Sequence, residues 1–221
     1  MSRIALPTTQ PTTLARDVEA LGPAETETAT FGMGCFWGPD ALFGAKPGVV
    51  RTRVGYAGGT TSEPTYYALG DHTEVVQIEY DPDRWTYAEL LDVVWANHDW
   101  TRSQKRQYRG VILAHDERQR AVAERSRDAL ADRTGQSVET AVESLQQFSP
   151  AEDYHQKYEL RTLPVVADEL EELYGDAFTA STVAARLNGF AAGYGSEGQQ
   201  RDLLATLDLP PTVLDEVRRR L

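Results

Sequence analysis

Apolar and polar residues alternate through Glu74-Val-Val-Gln-Ile-Glu-Tyr80, the period of two that sends a strand's side chains to opposite faces. Thr28-Ala-Thr-Phe-Gly-Met33, Val49-Val-Arg-Thr-Arg-Val54 and Tyr108-Arg-Gly-Val-Ile-Leu113 are short runs bounded by turn formers and also read as strands. Between them the period lengthens. Tyr87 to about Asn97 places Leu90, Leu91, Val94 and Trp95 on one helical face. Thr86 and Glu89 before it have the spacing of a capping box. Gly38 to Lys46 reads as a shorter helix, stopped by Pro47-Gly48. The order is β-α-β-β-α-β, which predicts an α+β, two-layer, ferredoxin-like sandwich with its helices on one face of the sheet.

The pattern continues past this core. Asp116 to about Arg133 is a charged amphipathic helix ending near Gly135, and Val138 to Val142 predicts one added strand. From Pro164 the texture changes, and Val165–Tyr174, Ala180–Leu187, Gly198–Leu207 and Pro211–Leu221 read as short helices. At the other end, residues up to Glu27 are rich in Thr, Pro and Ala, with a turn or two of helix at Arg16–Leu21. The expected division is a flexible arm over 1–27, a catalytic domain over 28–160 and a helical extension over 161–221.

Composition narrows the class. A chain of 221 residues, 41% hydrophobic, can bury a full core. It has no apolar run long enough to span a membrane. Its first residues lack a signal peptide's apolar stretch, so a cytoplasmic protein is expected. The net charge of −12, from 34 acidic against 22 basic residues, argues against non-specific binding to nucleic acid or anionic membrane. A single cysteine excludes an internal disulfide.

That cysteine stands in Gly34-Cys35-Phe36-Trp37-Gly38, between the first strand and the first helix. A helix N-terminus offers unpaired N–H groups and favours negative charge, and can lower a thiol pKa. Phe36 and Trp37 could wall a small apolar pocket beside the sulfur. The plainer reading is a buried, inert cysteine among core aromatics. Glu74 opens a strand near the cysteine strand; desolvated, it would hold a proton and could act as an acid. Equally, it could be an exposed strand-end carboxylate. His72 with Glu74, His98 with Asp99, and Asp153 with His155 could gather around a metal, though their spacing matches no known metal motif. Cys35 with His98 or His155 could instead form a cysteine hydrolase.

Gly34-Cys35-Phe36-Trp37-Gly38 resembles the signature of the A-type methionine sulfoxide reductases, the peptide-methionine (S)-S-oxide reductases. The resemblance extends through Gly55-Tyr56-Ala57-Gly58-Gly59, Pro64-Thr65-Tyr66, His72-Thr73-Glu74, Asn97-His98-Asp99, Gln107-Tyr108-Arg109 and the stretch from Phe148 to Tyr158. It implies that Cys35 attacks the sulfoxide sulfur, that Phe36 and Trp37 hold the substrate methyl group, and that Glu74 supplies a proton. It also implies that Tyr66 and Tyr108 orient the oxygen. The implied substrates are oxidised proteins or free methionine sulfoxide, with no bound cofactor and no metal. Two departures stand out. Ser103 occupies the place of a family aspartate, and the loop from Tyr66 to His72 is short, so Tyr67 could replace Tyr66. With no second cysteine, the sulfenic acid left on Cys35 must be reduced by an external thiol. A small dithiol is expected in preference to a thioredoxin-type protein. A non-catalytic relative that only binds oxidised methionine is the remaining alternative.

Overall fold

The structure is a computed structural model describing residues 25–206 and 210–220. Most of the expected N-terminal arm, including Arg16–Leu21, lies outside the described residues. The chain opens with β1 (Glu27–Met33), α1 (Trp37–Gly44), β2 (Val49–Ala57), β3 (Thr73–Tyr80), α2 (Tyr87–Ala96) and β4 (Gly110–Ala114). This is the β-α-β-β-α-β order that the periodicity gives. There follow α3 (Glu117–Thr134), β5 (Ala141–Ser144), β6 (Phe148–Pro150), α4 (Tyr158–Arg161), α5 (Pro164–Tyr174), α6 (Thr182–Ala191), α7 (Glu197–Thr206) and α8 (Pro211–Arg220). The protein is α+β. One sheet of six strands has the order β5-β4-β1-β3-β2-β6. Its pairs are antiparallel except β4 with β5.

The central strand β1 lies between β3 and β4, with Phe31 opposite Val76 on one side and Ile112 on the other. On one face Ala29, Phe31, Val76, Ile78 and Ile112 pack with Leu90, Leu91 and Val94 of α2 and Ala123 and Leu130 of α3. Removing such side chains from water supplies about 1.5–3 kcal/mol each, the main force holding helices to sheet. The capping box forms as the sequence indicates: the Thr86 side chain accepts from Glu89 N–H, and the Glu89 carboxylate accepts from Thr86 N–H.

Three local differences have physical causes. Tyr108 lies in a 3₁₀ turn, Arg106–Tyr108, and the strand starts only at Gly110. Gly110 pairs with Met33, the last residue of β1, so earlier residues have no strand to join. β2 runs on to Ala57 because Thr73, Glu74 and Val75 pair with its end. The β6 edge strand, three residues long, is too short to show a period.

The helices after residue 160 have their own apolar core, built from Leu160, Val166, Leu170, Phe178, Val183, Leu187, Phe190 and Val213 among others. That core meets the rest of the structure at α1. A Cβ on Gly189 would lie 2.5 Å from the Ala45 nitrogen, so only glycine lets α6 approach α1 backbone to backbone. Polar ties reinforce the contact. The Asn188 side-chain amide donates to Asp40 Oδ2 at 3.1 Å, and Arg186 donates to the carbonyls of Gly44 and Val49.

Candidate active site

Met33 ends β1, and Gly34 turns the chain with φ of +95°, a conformation that glycine adopts freely. Cys35 follows, and α1 begins two residues later at Trp37. The expected strand-to-helix position is therefore observed. Cys35 is exposed, not buried in the core, and its thiol is free.

The direction of its ionisation differs from expectation. The sulfur is open to solvent on one side, but the protein on its other side desolvates it and pushes the thiol pKa up. The Trp37 backbone N–H acts the other way, and the charges of Glu74 and Glu159 add to the rise. One N–H from the helix start is outweighed by partial burial and two carboxyl groups. The thiol is thus held protonated rather than activated in the resting protein.

Glu74 sits on β3 opposite Tyr56 and is buried, with 1% of its surface exposed. Its Oε2 accepts from Phe36 N–H at 3.2 Å, and its Oε1 accepts from the Gln107 side-chain amide at 2.8 Å. Burial pushes its pKa up, against the lowering effect of those two hydrogen bonds. The carboxyl is therefore tied directly to the residue after Cys35 and held toward its protonated form.

The two phenols lie together. Tyr108 is pushed up to about 12, first by burial, then by the neighbouring Tyr66 side chain and the Glu74 charge. Tyr66 is anchored through its backbone N–H, which donates to Glu152 Oε1 at 2.9 Å. Its ring centroid is 4.8 Å from His155, whereas Tyr67 is 90% exposed. The short loop thus turns Tyr66, not Tyr67, toward the other site residues.

Phe36 is buried against Tyr56 and His155. Trp37 stacks face to face on Tyr158, with centroids 3.6 Å apart and planes 4° apart. Its indole N–H points to His155 Nδ1 at 3.3 Å. An indole N–H only donates, so Nδ1 must accept and the imidazole proton sits on Nε2. Burial lowers the His155 pKa, which agrees with a neutral ring. Glu152 links this group from behind, accepting from the Tyr56 hydroxyl at 2.8 Å as well as from Tyr66. Glu152, Tyr56 and Tyr158 escape a reading by residue type, although the Phe148–Tyr158 stretch and the Gly55–Gly59 stretch mark where they lie; His155 is legible as a candidate ligand or base, but its place as the acceptor for Trp37 is not.

Ser103 is exposed in the loop before the 3₁₀ turn. Other groups hold that turn in place. Arg106 donates to Asp71 O at 2.8 Å and to Gly58 O, and the Thr73 hydroxyl donates to Arg106 O at 2.9 Å. The three His–carboxylate pairs do not converge: among the described residues no three His, Cys, Asp or Glu side chains come together as a metal-binding group. His98 is occupied at both ring nitrogens, by Val94 O at 2.6 Å and the Thr140 hydroxyl at 2.8 Å, leaving no free nitrogen to serve as a base for Cys35.

A reachable thiol beside a buried carboxyl whose pKa is pushed up, with two phenols close by, is the equipment of a cysteine enzyme that must deliver protons to an oxygen. The comparisons with known proteins give the family. Residues 27–171 match the model described as peptide methionine sulfoxide reductase. A peptide methionine sulfoxide reductase of Drosophila melanogaster is 47% identical over 188 residues, covering 84% of this chain and 76% of its own length. Another, from Methanococcoides burtonii, is 44% identical over 145 residues, or 60% of this chain and 94% of that one. The methionine sulfoxide reductase A structure of Corynebacterium diphtheriae superposes with a TM-score of 0.56 at 32% identity, covering 73% of this chain and 89% of its own. The chain belongs to the peptide methionine sulfoxide reductase family. Among the described residues no helix is long and apolar enough to cross a membrane.

Proposed function

We propose that this protein reduces the S epimer of methionine sulfoxide, in oxidised proteins or as the free amino acid, and so repairs oxidative damage. The observation that carries the reading is the Phe36 N–H to Glu74 hydrogen bond, which fixes a buried carboxyl beside an exposed Cys35. Cys35 is the nucleophile. As its thiolate attacks the sulfoxide sulfur, Glu74 donates a proton to the oxygen, and Tyr66 and Tyr108 hold that oxygen by hydrogen bonds. The S–O bond breaks, the oxygen passes to Cys35 as a sulfenic acid, and methionine leaves. Sulfoxide sulfur gains two electrons and the cysteine sulfur loses two. Two external thiols then restore Cys35, releasing one disulfide and one water. Phe36 and Trp37 form the apolar wall for the substrate methyl group.

With one cysteine the chain cannot make an internal disulfide, which supports a small dithiol as reductant over a thioredoxin-type protein. The division of the chain belongs to the same proposal: a catalytic unit over 28–160 and a helical extension over 161–221, a reading supported by the separate apolar core that α6 brings against α1. The inner strand order β4-β1-β3-β2, with α1 and α2 on one face, supports a ferredoxin-like core. A cytoplasmic setting fits a chain that keeps a free, exposed thiol.

The test is methionine release from the separated S and R sulfoxides with dithiothreitol as reductant. Turnover of the S epimer, none of the R epimer and none by Cys35→Ser is expected. Comparable turnover by Cys35→Ser would end the assignment.

A further inference from the structure

Around Cys35 the surface is lined by exposed aromatics. Of the five exposed large hydrophobic side chains among the described residues, three are Tyr67, Tyr154 and Tyr158. His155 gathers them. Tyr154 lies 4.1 Å from its ring, Tyr67 packs edge-on at 5.4 Å against Tyr66, which is 4.8 Å from His155, and Tyr158 stacks on Trp37. Exposed aromatic clusters of this kind mark binding surfaces rather than solubility. The rings are held by packing, so little freedom would be lost on contact.

Carboxylates lie beside these rings. Glu152 accepts from the Tyr66 N–H and adds negative field at Tyr154, and Glu159 follows Tyr158 and adds negative field at Cys35. Among the described residues Glu159 has no lysine or arginine within ion-pair distance. The basic residues on either side of it are taken: Lys157 by Asp40 at 3.1 Å and Arg161 by Glu171 at 2.5 Å. Tyrosine faces flanked by carboxylates suit a cationic side chain, which gains both a cation–π contact and an ion pair.

We infer that the collar of Tyr67, Tyr154 and Tyr158, with Glu152 and Glu159, is a subsite for the residues flanking methionine sulfoxide in a polypeptide, and that it selects segments carrying lysine or arginine next to the oxidised residue. The inference rests on the reductase reading and adds a sequence preference to it. Arginine or lysine beside the sulfoxide lies over a tyrosine face with a carboxylate in reach. Aspartate or glutamate there meets the acidic collar and is repelled.

The experiment compares kcat/KM, with dithiothreitol as reductant and at low salt, for free methionine S-sulfoxide and three blocked tripeptides. These carry the sulfoxide between two lysines, two alanines or two glutamates. The lysine peptide is expected to exceed the glutamate peptide by about tenfold, from one cation–π contact and one exposed ion pair. That ratio should shrink in 1 M KCl, where the Debye length falls to about 3 Å. Tyr67→Ser combined with Glu159→Gln should bring the lysine peptide down toward the alanine peptide, each rate taken relative to that on free methionine S-sulfoxide. Rates on free methionine S-sulfoxide in the same preparation serve as the internal reference for folding. Equal values for the three peptides, alongside clear turnover of the free amino acid, would overturn this inference alone. No turnover of any substrate would overturn the reductase reading and this inference with it.

Discussion

Lys157→Met is a test of how the cysteine helix is held. Lys157 is fully buried, and its ammonium donates to Asp40 Oδ1 at 3.1 Å, Thr52 O at 2.5 Å and the Thr52 hydroxyl at 3.0 Å. Asp40 is buried on α1 and also accepts from Lys157 N–H at 3.3 Å and from Asn188 at 3.1 Å. One carboxylate thus joins the cysteine helix to β2 through the ammonium, to the loop before α4, and to α6. Methionine keeps most of the volume but leaves Asp40 as a buried charge without its cation. Breaking a buried pair this way costs about 3–5 kcal/mol. For a chain of this size that corresponds to a fall in Tm of about 6–20 °C. Residue 157 has φ of +54°, but methionine and lysine suffer that strain alike, so the backbone does not confound the comparison. The assay is urea unfolding followed by far-UV circular dichroism, with thermal scans alongside. Asp40→Asn added to Lys157→Met removes the stranded charge while keeping an acceptor for Asn188, and should recover at least half of the loss. A loss below about 1 kcal/mol for the single variant, or no recovery in the double, would refute the reasoning.

Two further predictions concern the chemistry. The rate of attack depends on the product of thiolate Cys35 and protonated Glu74, and both groups are shifted upward. Between the two pKa values one fraction rises as the other falls, so kcat/KM should be nearly flat there; it should decline below the Glu74 pKa, where thiolate is lost, and above the thiol pKa, where protonated Glu74 is lost. Glu74→Gln should slow the reaction by about 10²–10⁴-fold. It should also turn the flat region into a rise of about tenfold per pH unit, since only thiolate ionisation then remains; a profile unchanged in shape would remove Glu74 from the reaction. Tyr66→Phe should lower kcat by about tenfold or more through loss of one oxygen-directed hydrogen bond, with Tyr67→Phe close to wild type on free methionine S-sulfoxide. The opposite ranking in steady-state kinetics would show that the loop rearranges to use Tyr67.

Much of the frame is visible in residue patterns because its causes are local. The period of Glu74–Tyr80, the Thr86–Glu89 box and the stop at Pro47-Gly48 act within a few residues. The site word around Cys35 is local too, since Gly34, the cysteine and the first turn of α1 are neighbours. What escapes the sequence is set by distant partners. Whether Cys35 ionises easily depends on desolvation and on Glu74 and Glu159, and these outweigh the nearby helix N–H. Tyr66 and Tyr67 are chemically equivalent in the chain; only the anchor at Glu152, 86 residues away, selects between them. The turn carrying Tyr108 is held by Arg106 reaching Gly58 and Asp71, a tie that no motif spells out. The grip of α6 on α1 rests on Asp40 and Asn188, separated by 148 positions, and on a glycine whose need shows only where two backbones meet.

The most direct test of the account is a single-turnover experiment on the reduced protein. It is mixed with methionine S-sulfoxide and dimedone, without any reducing thiol, and followed by intact mass and by methionine release. One dimedone adduct on Cys35, with methionine formed in equal amount, is the result expected of a one-cysteine reductase. Neither adduct nor methionine, from a protein that still binds the sulfoxide, would leave a binding relative without the chemistry and would contradict the account.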